Sequence, residues 1–359
     1  MALQASFSRK TFNFSFKART SRGSMTQKDS WFLKVWDNSN PDVFGIGEAG
    51  PLPGLSPEKP ETVEEELTGL VKRLKGITLR DLQSASDIFE ILKRESLSSS
   101  VMFAAETALL DLSGGGKREI FKNDFLLGKP IPINGLVWMG GLDDMLQQVS
   151  IKLYEGFTCI KVKVGGLNFE KELDILQFIR RKYFRDQVTI RLDANGSFKD
   201  DDAFYKLMDC SRFDIQSIEQ PVKVGSPLLP QLCKTSPIPI ALDEELIGIR
   251  TREAKVALLD RVNPPFIILK PSLHGGLHGC EEWITLADER KVGWWMTSAL
   301  ESNIGLNCIA QFTANHPLDM HQGLGTGMIY SDNVKSPLAV KKGALVFDSQ
   351  ENWDLSEIN

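Results

Sequence analysis

The chain of 359 residues holds only five cysteines and four histidines. The cysteines (Cys159, Cys210, Cys233, Cys280, Cys308) are scattered, odd in number and form no C-x-x-C pair. They read as reduced, mostly buried thiols of a cytoplasmic protein, not as a disulfide framework or a thiolate metal site. His274 and His278 are four apart, but Gly275 and Gly276 lie between them and no H-E-x-x-H exists, which sets zinc aside. No apolar run reaches the roughly 18 residues needed to cross a bilayer, so no membrane association is expected. The net charge of −5 gives no basic footprint for nucleic acid. Gly114-Gly115-Gly116-Lys117 lacks the spacing of a phosphate loop and reads as the glycine cap of a helix over Val101 to Leu112. Residues 1–28 contain no acid, while Arg9, Lys10, Lys17, Arg19 and Arg22 are basic, as in a transit peptide. Phe12, Phe14 and Phe16 alternate with polar residues, however, and Trp31 to Trp36 follows a short polar turn. The expectation is a hairpin belonging to the fold.

What is present is a ladder of short apolar runs. Ile160 to Val164, Thr189 to Asp193, Ser217 to Pro221, Pro239 to Asp243 and Phe266 to Pro271 all read as strands, and the last four each end in one charge. The end charges recur at about 25 residues, the length one strand plus one helix consumes in a parallel α/β fold. Further strands are expected at 131–137, Val292 to Met296 and Leu318 to His321, with a helix carrying Phe169, Leu173, Leu176 and Ile179 after the first of the five runs. About eight strands over roughly 200 residues match a compact βα barrel, whose C-terminal face would gather the charges. An open doubly wound sheet would not need charges at four consecutive strand ends. Ahead of the barrel come antiparallel strands up to about residue 50, a Gly/Pro loop over 45–54, and helices from Ser56 to about Leu112. The tail from Lys335 is too short for a domain and is expected to return toward the N-terminal part.

Asp193, Glu219 and Asp243 are carboxylates at successive strand ends. A lone acid there would be read as a helix cap. Three together would repel unless a hard divalent ion is shared among them, and Mg²⁺ suits oxygen donors with positions left for water or substrate. Lys161 and Lys163 are two apart and point to one face, and Lys270 arrives from the opposite side of the ring. A like-charged neighbour and a nearby cation would lower a lysine pKa, making Lys163 a candidate general acid/base. Lys270 would be a second proton carrier or a fixed cation. A metal on a substrate carboxylate, with a lysine beside the α-carbon, points to α-proton abstraction through an enediolate.

With these motifs in order, the chain resembles the enolase superfamily in its muconate-lactonizing branch. The resemblance rests on Lys161-Val162-Lys163, Leu-Asp193-Ala-Asn195, Ile-Glu219-Gln-Pro, Leu-Asp243-Glu-Glu and Leu-Lys270-Pro-Ser. It implies a modified (β/α)7β TIM-type barrel over 126–334, with an α+β capping domain over 1–125 completed by the tail 335–359. It also implies Mg²⁺ or Mn²⁺ on Asp193, Glu219 and Asp243, and a small carboxylate substrate handled by Lys163 and Lys270. Thr20 to Gly23, Glu48 to Ser56 and Ser298 to Gly305 are most similar to the branch's dehydratases of menaquinone synthesis. These turn a succinyl-hydroxycyclohexadiene carboxylate into an aromatic product. Lys163 would then take the α-proton and return it to the departing hydroxide, and Lys270 would stabilise the dianion. Ser298 and Gly323-Leu324-Gly325 would meet the succinyl end, and Lys161, Arg191 and Asn195 would bind substrate or support the ligands, Arg191 by holding Asp193. Gly323-Leu324-Gly325-Thr326 stands where the branch's dipeptide epimerases carry Asp-x-Asp. Racemisation of N-succinyl or other N-acyl amino acids by the same lysines remains open, as do a non-catalytic barrel binding an anionic metabolite and the oligomeric state.

Overall fold

The structure, a computed structural model, describes residues 2–20 and 23–358. The chain opens with an antiparallel sheet of β1 (Leu3–Thr20), β2 (Gly23–Asp37) and β3 (Asn40–Ala49). β1 and β2 form the expected hairpin, pairing Phe12 with Lys28 and slipping register between Asn13 and Ala18. Phe12 and Phe14 bury one face with Phe32 and Tyr330, while Phe16 is partly exposed. Three helices follow: α1 (Pro60–Leu74), α2 (Ala85–Leu92) and α3 (Ser99–Ser113). The helical spacing of Val63, Leu67, Leu70 and Leu74 buries one stripe of α1. α3 is buried nearly all round, because β3 offers it glycines. A Cβ on Gly45 or Gly47 would sit 1.9 Å from the Ala108 or Ala104 carbonyl. The glycine run ends α3 as expected, with Gly116 N–H donating to Asp111.

Strands and helices then alternate. They run β4 (Ile131–Pro132), β5 (Gly135–Val137), α4 (Leu142–Tyr154), β6 (Cys159–Lys163), α5 (Phe169–Lys182), β7 (Thr189–Asp193), α6 (Ala203–Ser211) and β8 (Ile215–Glu219). Next come α7 (Leu229–Thr235), β9 (Ile240–Leu242), α8 (Arg252–Val262), β10 (Phe266–Leu269), α9 (Gly276–Glu289), β11 (Gly293–Met296) and α10 (Asn303–Thr313). β5 to β11 form one parallel sheet of seven strands in chain order, curled into a barrel.

The eighth strand departs from expectation. Residues 318–321 are irregular, beginning at Pro317, which has no backbone donor. Closure falls to Gln322 and Gly323. Gln322 N–H donates to Pro132 and Gln322 C=O accepts from Asn134; Gly323 N–H donates to Met296 and Gly323 C=O accepts from Ser298. The chain after Val334 forms a hairpin, β12 (Leu338–Lys341) and β13 (Ala344–Phe347), that pairs with β4. The last segment reaches back to β1, where Ser8 donates to the Ile358 carbonyl and Lys10 pairs with Glu357. Among the described residues no helix is long and apolar enough to cross a membrane.

Candidate active site

Register lines up the charges. Lys163 lies beside Asp193 and Asp193 beside Glu219, while Glu219 pairs with Ala241, two before Asp243. Asp243 and Lys270 each follow the last residue of their strand. Alternation along β6, β7 and β8 points Lys161, Lys163, Asp193 and Glu219 to the same, inner face. All six groups are buried, with the three acids on adjacent strands and lysines on the strands to either side.

Each acid is turned onto a lysine. Lys161 Nζ lies 2.5 Å from Glu219 Oε2 and 3.0 Å from Asp193 Oδ2. Lys163 Nζ donates to Asp193 Oδ2 at 2.8 Å and to Asn195 Oδ1 at 2.9 Å. Lys270 Nζ spans both oxygens of Asp243, at 2.7 and 2.5 Å. Burial alone would raise the Asp193 and Asp243 carboxyls. Lys161 and Lys163 overturn this at Asp193 and hold it well below the usual carboxylate range, and Lys270 lowers Asp243. Glu219 goes the other way, pushed up to about 8 by burial and, against Lys161, by Asp193 and Asp243. The expectation of a lowered lysine pKa is not met at Lys161. Burial pulls it down, but Asp193 and Glu219, at 3.0 and 2.5 Å, raise it overall.

Among the described residues no three acids, histidines or cysteines converge as a finished metal cage. The donor set nevertheless fits a hard divalent ion. It consists of carboxylate oxygens only, from three neighbouring rigid strands, and Glu219 Oε1 is buried with no hydrogen-bond partner.

Asn195 is brought to the row. It sits in the left-handed region (φ 46°), and its amide joins Lys163 to Glu244. Ser298 and Gly323 line the cavity over the row, and Ser298 Oγ lies 2.7 Å from Thr326 Oγ1. A Cβ on Gly323 would stand 2.3 Å from Thr297 Oγ1, so the wall there is backbone. Arg191 corrects its expected role. It shares the inner face with Asp193 but lies one layer deeper. Its guanidinium donates to Gln216 and the His321 carbonyl and stacks 4.0 Å from the Trp295 ring centroid, closing the barrel floor. Of Thr20 to Gly23, Ser21 and Arg22 lie outside the described residues. Two lining residues escaped the sequence reading, Asn134 and Thr297, whose side-chain oxygens are buried without partners. Strand parity was the available signal, since Asn134 is two before the inward Leu136.

The cavity, about 940 Å³, lies between the barrel mouth and the cap. Lys163, Asp193, Lys270 and Ser298 line it from below, and Phe16, Met25 and Leu52 to Leu55 from above. Residues 144–350 match the family model described as "Enolase C-terminal domain-like". A curated o-succinylbenzoate synthase from Desulfotalea psychrophila is 42% identical, over 96% of this chain and 98% of that protein. A crystal structure of MenC from the same organism superimposes with a TM-score of 0.87 at 40% identity, covering 96% of this chain and all of the other. The fold is shared more widely. A dipeptide epimerase from Cytophaga hutchinsonii, complexed with Mg and dipeptide, has a TM-score of 0.83 at 22% identity over 99% of this chain and 95% of the other. With a family model spanning more than half of it, and a 42% identical relative of matching length, the chain belongs to the enolase superfamily, among its o-succinylbenzoate synthases.

Proposed function

We propose that the chain dehydrates 2-succinyl-6-hydroxy-2,4-cyclohexadiene-1-carboxylate to o-succinylbenzoate, a step of menaquinone synthesis, as a hydro-lyase of the cytoplasm. The observation that carries the reading is the order of groups across one sheet: Lys161 and Lys163, then Asp193, Glu219 and Asp243, then Lys270. The 42% identical synthase covering nearly the whole chain supports the substrate. Residues 126–334 form the catalytic unit in this reading, and 1–125 with 335–359 the cap.

Asp193, Glu219 and Asp243 would hold Mg²⁺, with Mn²⁺ as a substitute. When bound, the ion would supply Lewis acidity to the substrate carboxylate. Lys163 removes the α-proton as a neutral amine. The C–H electrons pass into the carboxylate as an enediolate. They return to break the ring C–O bond, and hydroxide leaves with the proton from the Lys163 ammonium, as water. Lys270, across the acids from Lys163, holds its ammonium toward the developing charge. Asn195 orients Lys163 through their 2.9 Å contact. Ser298 and the Gly323 backbone receive the succinyl end, and the cap excludes water.

The test is turnover of the cyclohexadiene carboxylate with Mg²⁺. EDTA should abolish it, and Lys163→Ala should lower kcat at least about 100-fold. Racemisation of an N-succinyl amino acid with equal or greater efficiency would reverse the assignment. Unchanged turnover of every carboxylate substrate by Lys163→Ala would remove it.

A further inference from the structure

Outside the acid row, the molecule buries a second set of charges where the cap meets the barrel. Glu301 is fully buried in the loop between Ser298 and α10. Its Oε1 accepts from Ser272 Oγ at 2.5 Å, and its Oε2 accepts from the Ala299 backbone N–H at 2.6 Å. Ser272 stands two residues after Lys270, and Ala299 is the residue after Ser298. One carboxylate therefore fastens the turn behind the sixth-strand lysine to the loop that carries the seventh-strand serine. Both pieces are tight. Lys270 C=O accepts from Leu273 and His274 N–H groups, and Leu300 stands at φ 62°. A leucine holds that left-handed conformation only where its surroundings impose it.

The cap faces this carboxylate with its own buried groups. Lys28 of β2 is 2% exposed, and its Nζ lies near Ser30 Oγ at 3.4 Å, against the space a Gly50 Cβ would fill. Glu48 of β3 accepts from Ser30 Oγ at 2.7 Å and Ser302 N–H at 2.9 Å with one oxygen, and from Ser302 Oγ and Gly305 N–H with the other. Glu48 thus caps α10, directly after Glu301. The Lys28 charge acts on both Glu48 and Glu301. A buried carboxylate without a countercharge is costly, and among the described residues neither the barrel nor Lys28 forms an ion pair with Glu301; burial raises its pKa, against Lys28 and Ser272.

We propose that Glu301 is a positioning residue that sets Lys270 and Ser298 relative to each other. Through Glu48 and Ser302 the cap adjoins this clamp, besides covering the cavity. The inference rests on the synthase reading for its assay, but not for its structural readout.

With wild type turning over the cyclohexadiene carboxylate, Glu301→Ala should lower kcat about 10- to 100-fold with KM changed less than about 3-fold, the pattern of misplaced rather than missing groups. Glu301→Gln, which keeps the size and can keep both contacts, should recover most of that loss. Ser272→Ala removes only the tether to the sixth strand and tests the same point if Glu301→Ala does not fold. Crystal structures of Ser272→Ala and Glu301→Ala give a readout without turnover, in which the Lys270 ammonium should shift from Asp243. Lys270 and Ser298 unmoved in these structures would overturn the inference, as would kcat within about 2-fold of wild type in Ser272→Ala and, where it folds, in Glu301→Ala. An inactive wild type would overturn the synthase reading alone and leave the crystal structures to decide this one.

Discussion

Removing the Lys270 ammonium should destabilise the protein strongly without divalent metal and weakly with it. In Lys270→Met, Asp243 loses the partner that spans both of its oxygens, at 2.7 and 2.5 Å, in a fully buried position. Removing one member of such a buried pair costs about 3–5 kcal/mol. The carboxyl has one escape, taking up a proton. From its ordinary pKa of 3.8, staying neutral at pH 7 costs about 4.4 kcal/mol, at about 1.4 kcal/mol per pH unit. Both routes put the loss near 4 kcal/mol. A divalent cation on Asp243 supplies the missing charge from another direction, so saturating Mg²⁺ should shrink the loss to about 1 kcal/mol. Urea unfolding followed by tryptophan fluorescence, in EDTA and in Mg²⁺, measures both values, since Trp283 and Trp295 are buried. The reasoning fails if Lys270→Met lies within about 1 kcal/mol of wild type in EDTA, or if Mg²⁺ leaves the difference unchanged.

Three further outcomes are expected. His274 accepts the Lys270 backbone N–H on Nδ1 and is pulled down to about 3 by burial, then by Lys270 and Lys255 against Asp243. A histidine depressed in the fold gives stability that is present above its unfolded pKa and lost as pH falls, so unfolding free energy should drop by about 1.4 kcal/mol per pH unit from pH 6.5 to 5, a slope absent in His274→Gln. Gly323→Ala should cost about 1–3 kcal/mol in urea unfolding, because its new methyl would meet Thr297 Oγ1 at 2.3 Å. Arg191→Leu should cost about 1–3 kcal/mol, leaving the His321 carbonyl without its donor and Gln216 Oε1 with Ser217 Oγ alone. Its kcat should stay within about 3-fold of wild type; a loss matching that of Lys163→Ala would restore Arg191 to the acid row.

The charges at strand ends were legible because two local rules sufficed. The 25-residue recurrence marks βα units, and the two-residue period of a strand fixes which side chains share a face. Those rules brought Lys161, Lys163, Asp193, Glu219 and Lys270 together correctly. They failed where depth matters, since Arg191 obeys the same parity as Asp193 yet reaches into the next layer down, toward Trp295. They failed also at Leu318 to His321, where apolar composition suggested a strand but Pro317 and the closing bonds of Gln322 and Gly323 decided otherwise. The pairing of each acid with a lysine could not be read at all. It depends on distances of 2.5–3.0 Å between groups up to 58 positions apart. Glu301 lies in a stretch that carries the resemblance, but only packing reveals that it joins Ser272 to Ala299.

The barrel is sewn unevenly. From β6 to β8 each strand is laced to the next by a run of paired residues, while the circuit is completed by Gln322 and Gly323 alone. Asp193 and Glu219 stand in the stiff arc and Ser298 stands at the seam. Such a ring can resize the end of its chamber that meets a substrate's tail, by loosening a few backbone bonds, while the ion-holding end keeps its shape. Variation in what the chamber admits would then come at little cost to the chemistry it performs.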